Sequence, residues 1–361
     1  MLKYKLIVMG AGSLARSIVY SLPMLYKDKL DVLIIGRNMD DVTKITTIAS
    51  TRSIICNSNV RFAGQVMEWD NFEELGNIIA NYCPEMVVLA ASMQSPWTLN
   101  KFSSKWAALI SEIGFGFTLP FQANFAIKVS TIIKKLNNRI KFINACYPDE
   151  VNQLLKSLDL PITTGVGNIS ILASYIPLKF NVTKEDLFQM VGHHCHVEPP
   201  KGEFNSELQK PRIWINDFEI QYDNSLLNDI RNAVISSESN QITGISAAQV
   251  ISALFSDTQT LLHVPGPFGL PGGYPVLIRN GNIEVSLPKG LTLKQAINFN
   301  TRCSELDGVK FDKSNKRITF NINEYIMAKY GLHSPHFNSF YLNDFDQVIH
   351  EFIELRHHLT I

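Results

Sequence analysis

The first forty residues constrain the fold most, because they place a glycine turn between an apolar run and a helical pattern. The run is Lys5–Met9, and the turn Gly10-Ala11-Gly12-Ser13-Leu14-Ala15 follows it directly. A second apolar run, Val32–Ile35, comes after the helical pattern. Strand, glycine turn, helix and strand in this order, with alanine in the third small position, form the dinucleotide-binding fingerprint.

Each small residue of the turn has a mechanical reason. Gly10 permits a tight exit from the strand, and Gly12 lets the backbone approach a pyrophosphate. Ala15 keeps the helix close to the sheet, so that its N-terminal N–H groups and dipole face the phosphates. The sequence therefore predicts a cofactor site built from five consecutive residues, Gly10, Ala11, Gly12, Ser13 and Leu14. A tight turn without a ligand is the alternative.

The end of the second strand bears on which dinucleotide binds. An Asp or Glu usually stands there and accepts hydrogen bonds from the adenosine ribose. This chain has Gly36, followed by Arg37 and Asn38. A guanidinium can stack on adenine or pair with a 2′-phosphate, so we expect Arg37 and Asn38 to favour NADP over NAD. The alternative is that Arg37 is a solvated loop residue.

Composition excludes several classes of partner. Thirty-three basic residues balance thirty-three acidic ones, so no net field attracts nucleic acid or an anionic membrane. Five cysteines are odd in number and scattered, which suits a reducing compartment better than a disulfide framework. The first strand occupies the N-terminus, and its apolar run is too short for a membrane span. We expect a cytoplasmic protein, assembled as a homodimer or homotetramer, that acts on a small molecule.

Alternating apolar runs and helical patterns predict the architecture of the first half. Helical patterns cover Phe72–Tyr82 and Pro120–Leu136, and apolar runs follow them at Met86–Ala91 and Ile140–Asn144. This order is typical of an α/β fold with a doubly wound parallel sheet, a Rossmann domain, which we place at residues 1–155.

The second half has a different pattern and predicts a mixed α+β catalytic domain at residues 156–361. Arg212–Tyr222 alternates and indicates one strand, while Thr243–Ser256 indicates a helix. Val276–Arg279 and Ile283–Leu287 flank Asn280-Gly281-Asn282, a strong hairpin signal.

These landmarks, in this order, resemble the lactate/malate dehydrogenase superfamily, which also contains the NAD-dependent family 4 glycosidases. The likeness covers about residues 1 to 300 and is carried by the glycine turn together with Ala90–Trp97, Gln122-Ala123-Asn124, Tyr147-Pro148-Asp149-Glu150, Gly192-His193-His194, Thr243-Gly244-Ile245-Ser246 and Gly269–Pro288.

The resemblance implies an NAD(P)-dependent dehydrogenase or reductase that moves hydride between nicotinamide and an alcohol or carbonyl carbon. It implies cofactor contacts at Ala91 and Asn124. His194 then becomes the catalytic acid/base, and Thr243 begins the helix that lines the substrate pocket. An imidazole suits this task because its pKa lies near neutrality. The orienting partner of His194 is left open among Ser170, Asp149 and Glu150, and a structural loop histidine is the alternative.

Three departures from the family put its substrate in doubt. Residues 93–118 contain no arginine, although the family's mobile loop carries one. The stretch Gly167-Asn168-Ile169-Ser170-Ile171-Leu172-Ala173 stands where the family has an aspartate that holds the histidine and an arginine that clamps a carboxylate, and it contains neither. Tyr147 replaces an asparagine. We therefore expect a substrate other than a simple 2-hydroxy acid, unless Arg212 or Arg231 restores the clamp.

Other interpretations of the same residues stay open. Trp97, Phe102 and Trp106 suggest a lid over a bulky, less anionic ligand. His193, His194, Cys195, His196 and Glu198 are potential metal ligands, although adjacent residues on an extended loop point in different directions; we expect no metal. A redox-assisted glycosidase or lyase and a non-catalytic nucleotide sensor are the alternative functions.

Overall fold

A parallel six-stranded sheet forms the centre of the protein. The computed structural model describes residues 4–95, 104–136, 139–198, 208–223, 225–234 and 238–360. The sheet has the order β3-β2-β1-β4-β5-β6, which is the doubly wound arrangement predicted from the sequence. Its strands are β1 (Tyr4–Met9), β2 (Leu30–Gly36), β3 (Val60–Val66), β4 (Met86–Leu89), β5 (Lys141–Asn144) and β6 (Thr164–Gly165).

Helices cover both faces of this sheet, which explains why its central strands are continuous apolar runs. The last four residues of β1 and all of β4 are buried. The helices of this half are α1 (Ser13–Leu25), α2 (Met39–Ile55), α3 (Phe72–Tyr82), α4 (Lys105–Ile113), α5 (Leu119–Leu136) and α6 (Pro148–Ser157). Side chains of Asn38, Asn71 and Ser104 cap α2, α3 and α4 by accepting backbone N–H bonds.

The second half is mixed α+β, as predicted. Three-stranded antiparallel sheets form from β7 (Phe188–Val191), β8 (Arg212–Ile215) and β9 (Phe218–Glu219), from β10 (Thr260–Pro265), β11 (Gly273–Arg279) and β12 (Asn282–Val285), and from β13 (Val309–Asp312), β14 (Arg317–Phe320) and β15 (Ser339–Tyr341). The helices are α7 (Asn168–Lys179), α8 (Ser225–Val234), α9 (Ser239–Leu254), α10 (Leu293–Leu306), α11 (Glu324–Tyr330) and α12 (Phe345–Thr360). No helix in the described ranges combines the length and the apolar character needed to cross a membrane.

The segment predicted as one strand over Arg212–Tyr222 is a hairpin instead. Asn216 and Asp217 both have positive φ, at 52° and 67°, and they form the turn between β8 and β9. Two consecutive left-handed residues match the right-handed twist of the flanking strands. The alternating pattern was interpreted correctly, but the polar pair in its middle is a turn.

The C-terminal elements return to the first half. The sheet β13–β15 and helix α12 share one hydrophobic core with α4 and α5. Strand β6 also lies beyond residue 155, where we placed the domain boundary. The segment between α4 and α5 passes close to the end of α10, and there Gly116 donates its N–H to the carbonyl of Asp307 at 2.7 Å. This contact fixes the end of α10 beside the parallel sheet.

Trp106 belongs to this shared core rather than to a lid. It is 3% exposed, its ring packs against Phe117 and Phe121, and its Nε1 donates to Gln94. Trp97 and Phe102, the other aromatic residues of the predicted lid, lie outside the described residues.

Candidate active site

A cavity of about 470 Å³ opens at the carboxyl ends of β1, β4 and β5. Ligands bind at this edge in open α/β sheets, where the strand order reverses. We call the end lined by the glycine turn, Arg37 and Asn38 the nucleotide end, after the ligand expected from the sequence, and the end lined by Phe115, Tyr147, Ile171, His194 and Glu198 the catalytic end, after the role expected of His194. One cavity therefore joins the two groups of residues that the sequence singled out.

The glycine turn leaves room for a ligand at one position and not at another. Gly10 has φ +130°, and a Cβ there would lie 2.6 Å from the carbonyl oxygen of Ala90. A Cβ on Gly12 would meet no atom within 4 Å, although Gly12 lines the cavity. Gly10 is thus needed by the fold, while Gly12 keeps backbone N–H groups accessible from the cavity. This is the cradle that a pyrophosphate requires.

Helix α9 closes the nucleotide end from the other half of the chain. A Cβ on Gly244 would lie 2.1 Å from Ser17 Oγ, so α9 can cross α1 closely only with glycine there. The crossing brings Asn240 to the turn, where its Nδ2 donates to Ser13 Oγ at 2.6 Å. Thr243, on the same helix, also lines the cavity.

The end of β2 has no space for the usual ribose-binding acid. A Cβ on Gly36 would lie 2.7 Å from Val42 Cγ2. The nearest carboxylate on the cavity wall, Asp41, is engaged by Arg16 at 2.6 Å. Arg37 and Asn38 face the cavity at this point. The guanidinium of Arg37 is therefore the charged group best placed for the adenosine end of a dinucleotide.

His194 is oriented by a carboxylate that the sequence did not indicate. Its Nδ1 lies 2.7 Å from Oδ2 of Asp307, the C-cap residue of α10, and the Asp307 carboxylate is fully buried. Tyr147 Oη donates to the same oxygen at 2.6 Å. A carboxylate can only accept here, so Nδ1 of His194 carries the proton and Nε2 is the nitrogen that can exchange one.

The Asp307 carboxylate reverses the effect of burial on His194. Burial alone lowers the pKa of an imidazole, but the charge and hydrogen bond of Asp307 raise the pKa of His194 above its usual value. His196, which is buried, and His263, which is half-buried, accept no contact from a carboxylate in the described structure and show the opposite result. Burial lowers the pKa of His196 to about 3 and that of His263 to about 4.

A second buried histidine–carboxylate pair lies directly behind the first. Nε2 of His193 is 2.8 Å from Glu150 Oε1 and 3.3 Å from Ser304 Oγ. Asp149 accepts the backbone N–H of His194 through Oδ1, and burial raises the pKa of Asp149. Glu150 and Asp149 thus hold the backbone of this loop and its other histidine, rather than the imidazole of His194.

Of the remaining predicted residues, one lines the cavity and two do not. Ala91 lines the cavity, whereas Asn124 and Ser170 are buried away from its lining. Asn124 donates to the sulfur of Met93, and Ser170 Oγ donates to the carbonyl of His263. Ser170 is therefore not the partner of His194. Gln122, two residues before Asn124 on the same helix, lines the cavity instead.

Neither candidate arginine reaches the cavity lining. Arg212 forms a bidentate pair with Glu219 across the β8–β9 hairpin. Arg231 donates to the carbonyl of His196. The clamp expected of a 2-hydroxy-acid enzyme is thus not rebuilt by either residue.

The potential metal ligands form a different group from the one considered above. Cys195, His196 and Cys303 bring their donor atoms within 4.8 Å of one another, all buried. None of the three lines the cavity. Nδ1 of His196 accepts the backbone N–H of His193, so Nε2 carries a proton and points to the carbonyl of Leu208. In this tautomer a metal would bind Nε2 only with release of its proton.

Comparisons with known proteins agree with this architecture. No family model matches the chain, and no curated protein matches it. Solved structures do: the malate dehydrogenase from Aeropyrum pernix is 14% identical with a TM-score of 0.55, and the alignment covers 84% of this chain and 97% of that one. The malate dehydrogenase from Picrophilus torridus in its apo form is 11% identical with a TM-score of 0.56, covering 85% and 98%.

A third similar structure is a complex with substrate and cofactor. The lactate dehydrogenase from Cryptosporidium parvum complexed with lactic acid and nicotinamide adenine dinucleotide is 16% identical with a TM-score of 0.53, covering 85% of this chain and 99% of that one. At such identities these matches show a shared fold. The lactate/malate dehydrogenase-like fold anticipated from the sequence is confirmed.

Proposed function

We propose that this protein is an NADP-dependent oxidoreductase that interconverts an alcohol and a carbonyl group of a small molecule. One observation carries the proposal: a single cavity has the glycine turn at one end and the His194–Asp307 pair at the other. Binding energy along the dinucleotide then places its reactive ring next to a group that can transfer a proton.

The residues present fit a nicotinamide dinucleotide. The open face at Gly12, the N-terminus of α1 and the contact between Asn240 and Ser13 would hold the pyrophosphate. When bound, such a cofactor supplies or accepts hydride at carbon. We assign the proton to His194: in reduction Nε2 donates to the substrate oxygen, and in oxidation it accepts the alcohol proton. Asp307 keeps the proton of the other ring nitrogen in place and stabilises the imidazolium.

The preference for the phosphorylated cofactor rests on the end of β2. Val42 fills the space that a ribose-binding side chain at position 36 would need, and Arg37 faces the cavity. A guanidinium forms strong charge-assisted hydrogen bonds to phosphate.

The catalytic end of the cavity argues against a simple 2-hydroxy acid. Among the described residues, no lysine or arginine lines this end, and Ile171 occupies part of its wall. A substrate carboxylate enclosed without a cationic partner loses several kcal/mol of hydration. We expect lactate, pyruvate, malate and oxaloacetate to be poor substrates with either cofactor.

The test is a 340 nm assay of NADPH oxidation with a panel of ketones, aldehydes and those acids, run on the unmodified protein and on His194→Asn. We expect turnover of some non-acidic carbonyl compound, and a loss of about 100-fold or more in His194→Asn with NADPH affinity unchanged. Ser304→Ala, which changes a neighbour of His193, serves as the control. Tight NADPH binding without turnover of any compound would instead identify a nucleotide sensor.

A further inference from the structure

Glu198 brings a negative charge to the catalytic end of the cavity. It follows the turn that carries His194, and its backbone N–H donates to the His194 carbonyl at 3.2 Å. Its side chain lines the cavity and is half-buried. In the described part of the chain no side chain pairs with its carboxylate. The carboxylate is close enough to His194 to contribute to the raised pKa of that histidine.

The rest of this end is apolar or aromatic. Phe115 and Tyr147 pack around the imidazole, with ring centroids 4.7 and 5.1 Å from it, and Ile171 and Val197 complete the wall. The other fixed charges on the described lining are Arg37 and Asp41, at the nucleotide end. Apart from His194 itself, which is positive when protonated, a substrate bound at this end meets one charged side chain on the described lining, and that side chain is negative.

We infer that the substrate carries a protonated amine next to its carbonyl or alcohol carbon, and that Glu198 binds this ammonium group. An ammonium ion gains a carboxylate partner and aromatic faces here, whereas a carboxylate would meet repulsion from Glu198. The inference rests on the proposed function. In the reducing direction a bound NADPH would supply hydride to the carbonyl carbon and become NADP⁺. The C=O π bond breaks, its oxygen takes the proton from His194 Nε2, and the ammonium group keeps its protons.

Three ketones of nearly equal size separate charge from shape. 2-Amino-1-phenylethanone carries an ammonium group on the carbon next to its carbonyl in slightly acidic buffer, 2-hydroxy-1-phenylethanone is neutral there, and phenylglyoxylate is anionic. We expect kcat/KM to follow that order, with the amino compound favoured over the hydroxy compound by about 10- to 100-fold, as for a charge-assisted contact. In Glu198→Gln the ratio of the two values falls to near one. The ratio is the readout because any general effect of Glu198 on His194 cancels in it.

A binding experiment keeps the inference separate from the proposed function. The protein with NADPH bound is titrated with 2-phenylethylamine and with 2-phenylethanol, and the change in NADPH fluorescence gives the affinity of each compound. The titrations are run on the unmodified protein, on Glu198→Gln and on Glu185→Gln, a control at an exposed glutamate. Tighter binding of the amine that is lost only in Glu198→Gln supports the inference even if no ketone is reduced, in which case only the proposed function fails. Equal affinities for amine and alcohol, or a preference that survives in Glu198→Gln, would overturn the inference.

Discussion

Replacing Asp307 by asparagine tests the assignment of the proton donor most informatively. The substitution keeps the shape of the side chain and an oxygen that can accept from Tyr147, but it removes the charge next to His194 Nδ1. His194 would then be a buried imidazole without a carboxylate, the situation in which burial lowers the pKa of His196 to about 3 and that of His263 to about 4. We therefore expect the pKa of His194 to fall.

The size of this change follows from the contact that is lost. A hydrogen bond between charged groups is worth about 1.5–3 kcal/mol, and one pKa unit corresponds to about 1.4 kcal/mol. The pKa of His194 should thus fall by roughly 1–2 units. Because carbonyl reduction needs His194 protonated, activity is present below this pKa and is lost as pH rises through it. The upper limb of the pH profile should move to lower pH by the same roughly 1–2 units, and kcat at neutral pH should fall about 100-fold.

The assay is kcat/KM for carbonyl reduction from pH 5 to 10, together with NADPH affinity by fluorescence. NADPH affinity should stay unchanged, since Asp307 lies outside the cavity lining. Ser304→Ala, one turn away on α10, controls for disturbance of the helix, and Tyr147→Phe removes one donor to Asp307 without removing its charge. An unchanged upper limb in Asp307→Asn, with the protein folded, would show that His194 is not the proton donor.

Three further predictions follow from other contacts. Arg37→Ala should remove most of the preference for NADPH over NADH, a loss of about 1–3 kcal/mol measured by fluorescence titration of both cofactors; equal affinities in the unmodified protein would refute the preference. Gly12→Val should abolish NADPH binding and leave the melting temperature nearly unchanged, because a Cβ at position 12 meets no protein atom. Gly10→Ala should lower the melting temperature, because its Cβ would contact the carbonyl of Ala90. The reverse pattern would contradict the assignment of Gly12 to the pyrophosphate site. Burial lowers the pKa of His263 from 6.5 to about 4, so His263 binds a proton more readily in the unfolded protein. The free energy of unfolding should therefore fall as pH drops from about 6.5 to 4, by at most roughly 3 kcal/mol. In His263→Gln, urea denaturation at several pH values should show a smaller fall in this free energy, and an unchanged fall would exclude His263 as its source.

Much of the fold could be predicted because its signals are local. Buried parallel strands are continuous apolar runs, and the turn at Asn280-Gly281 has the positive φ values, 49° and 71°, that its composition indicates. The hairpin at Asn216-Asp217 was missed because no glycine marks it and the alternating pattern continues across it. The return of α12 to the first half leaves no local trace, since an apolar helical stripe does not specify what it packs against.

The site divides in the same way. The glycine turn could be predicted because a dinucleotide-binding turn needs small residues at fixed spacing, and His194 was predicted from the resemblance of its segment to the family. Asp307 was missed because it is 113 residues away from His194, and only the close crossing at Gly116 brings it there. Glu198 was considered only as a metal ligand, since its neighbours are histidines and a cysteine. Asn124 was predicted from the resemblance and Ser170 as one of three open candidates for the partner of His194, and neither prediction determined which helix face meets the cavity.

The central claim is that one cavity places a nicotinamide ring beside the His194–Asp307 pair. A crystal structure of the protein with NADPH tests this most directly. The account predicts the pyrophosphate against the glycine turn at Gly12 and the 2′-phosphate in contact with Arg37. It predicts the nicotinamide ring at the catalytic end, with its C4 atom on the side of Nε2 of His194. A dinucleotide bound with its nicotinamide outside the catalytic end, or bound away from the glycine turn, would contradict it.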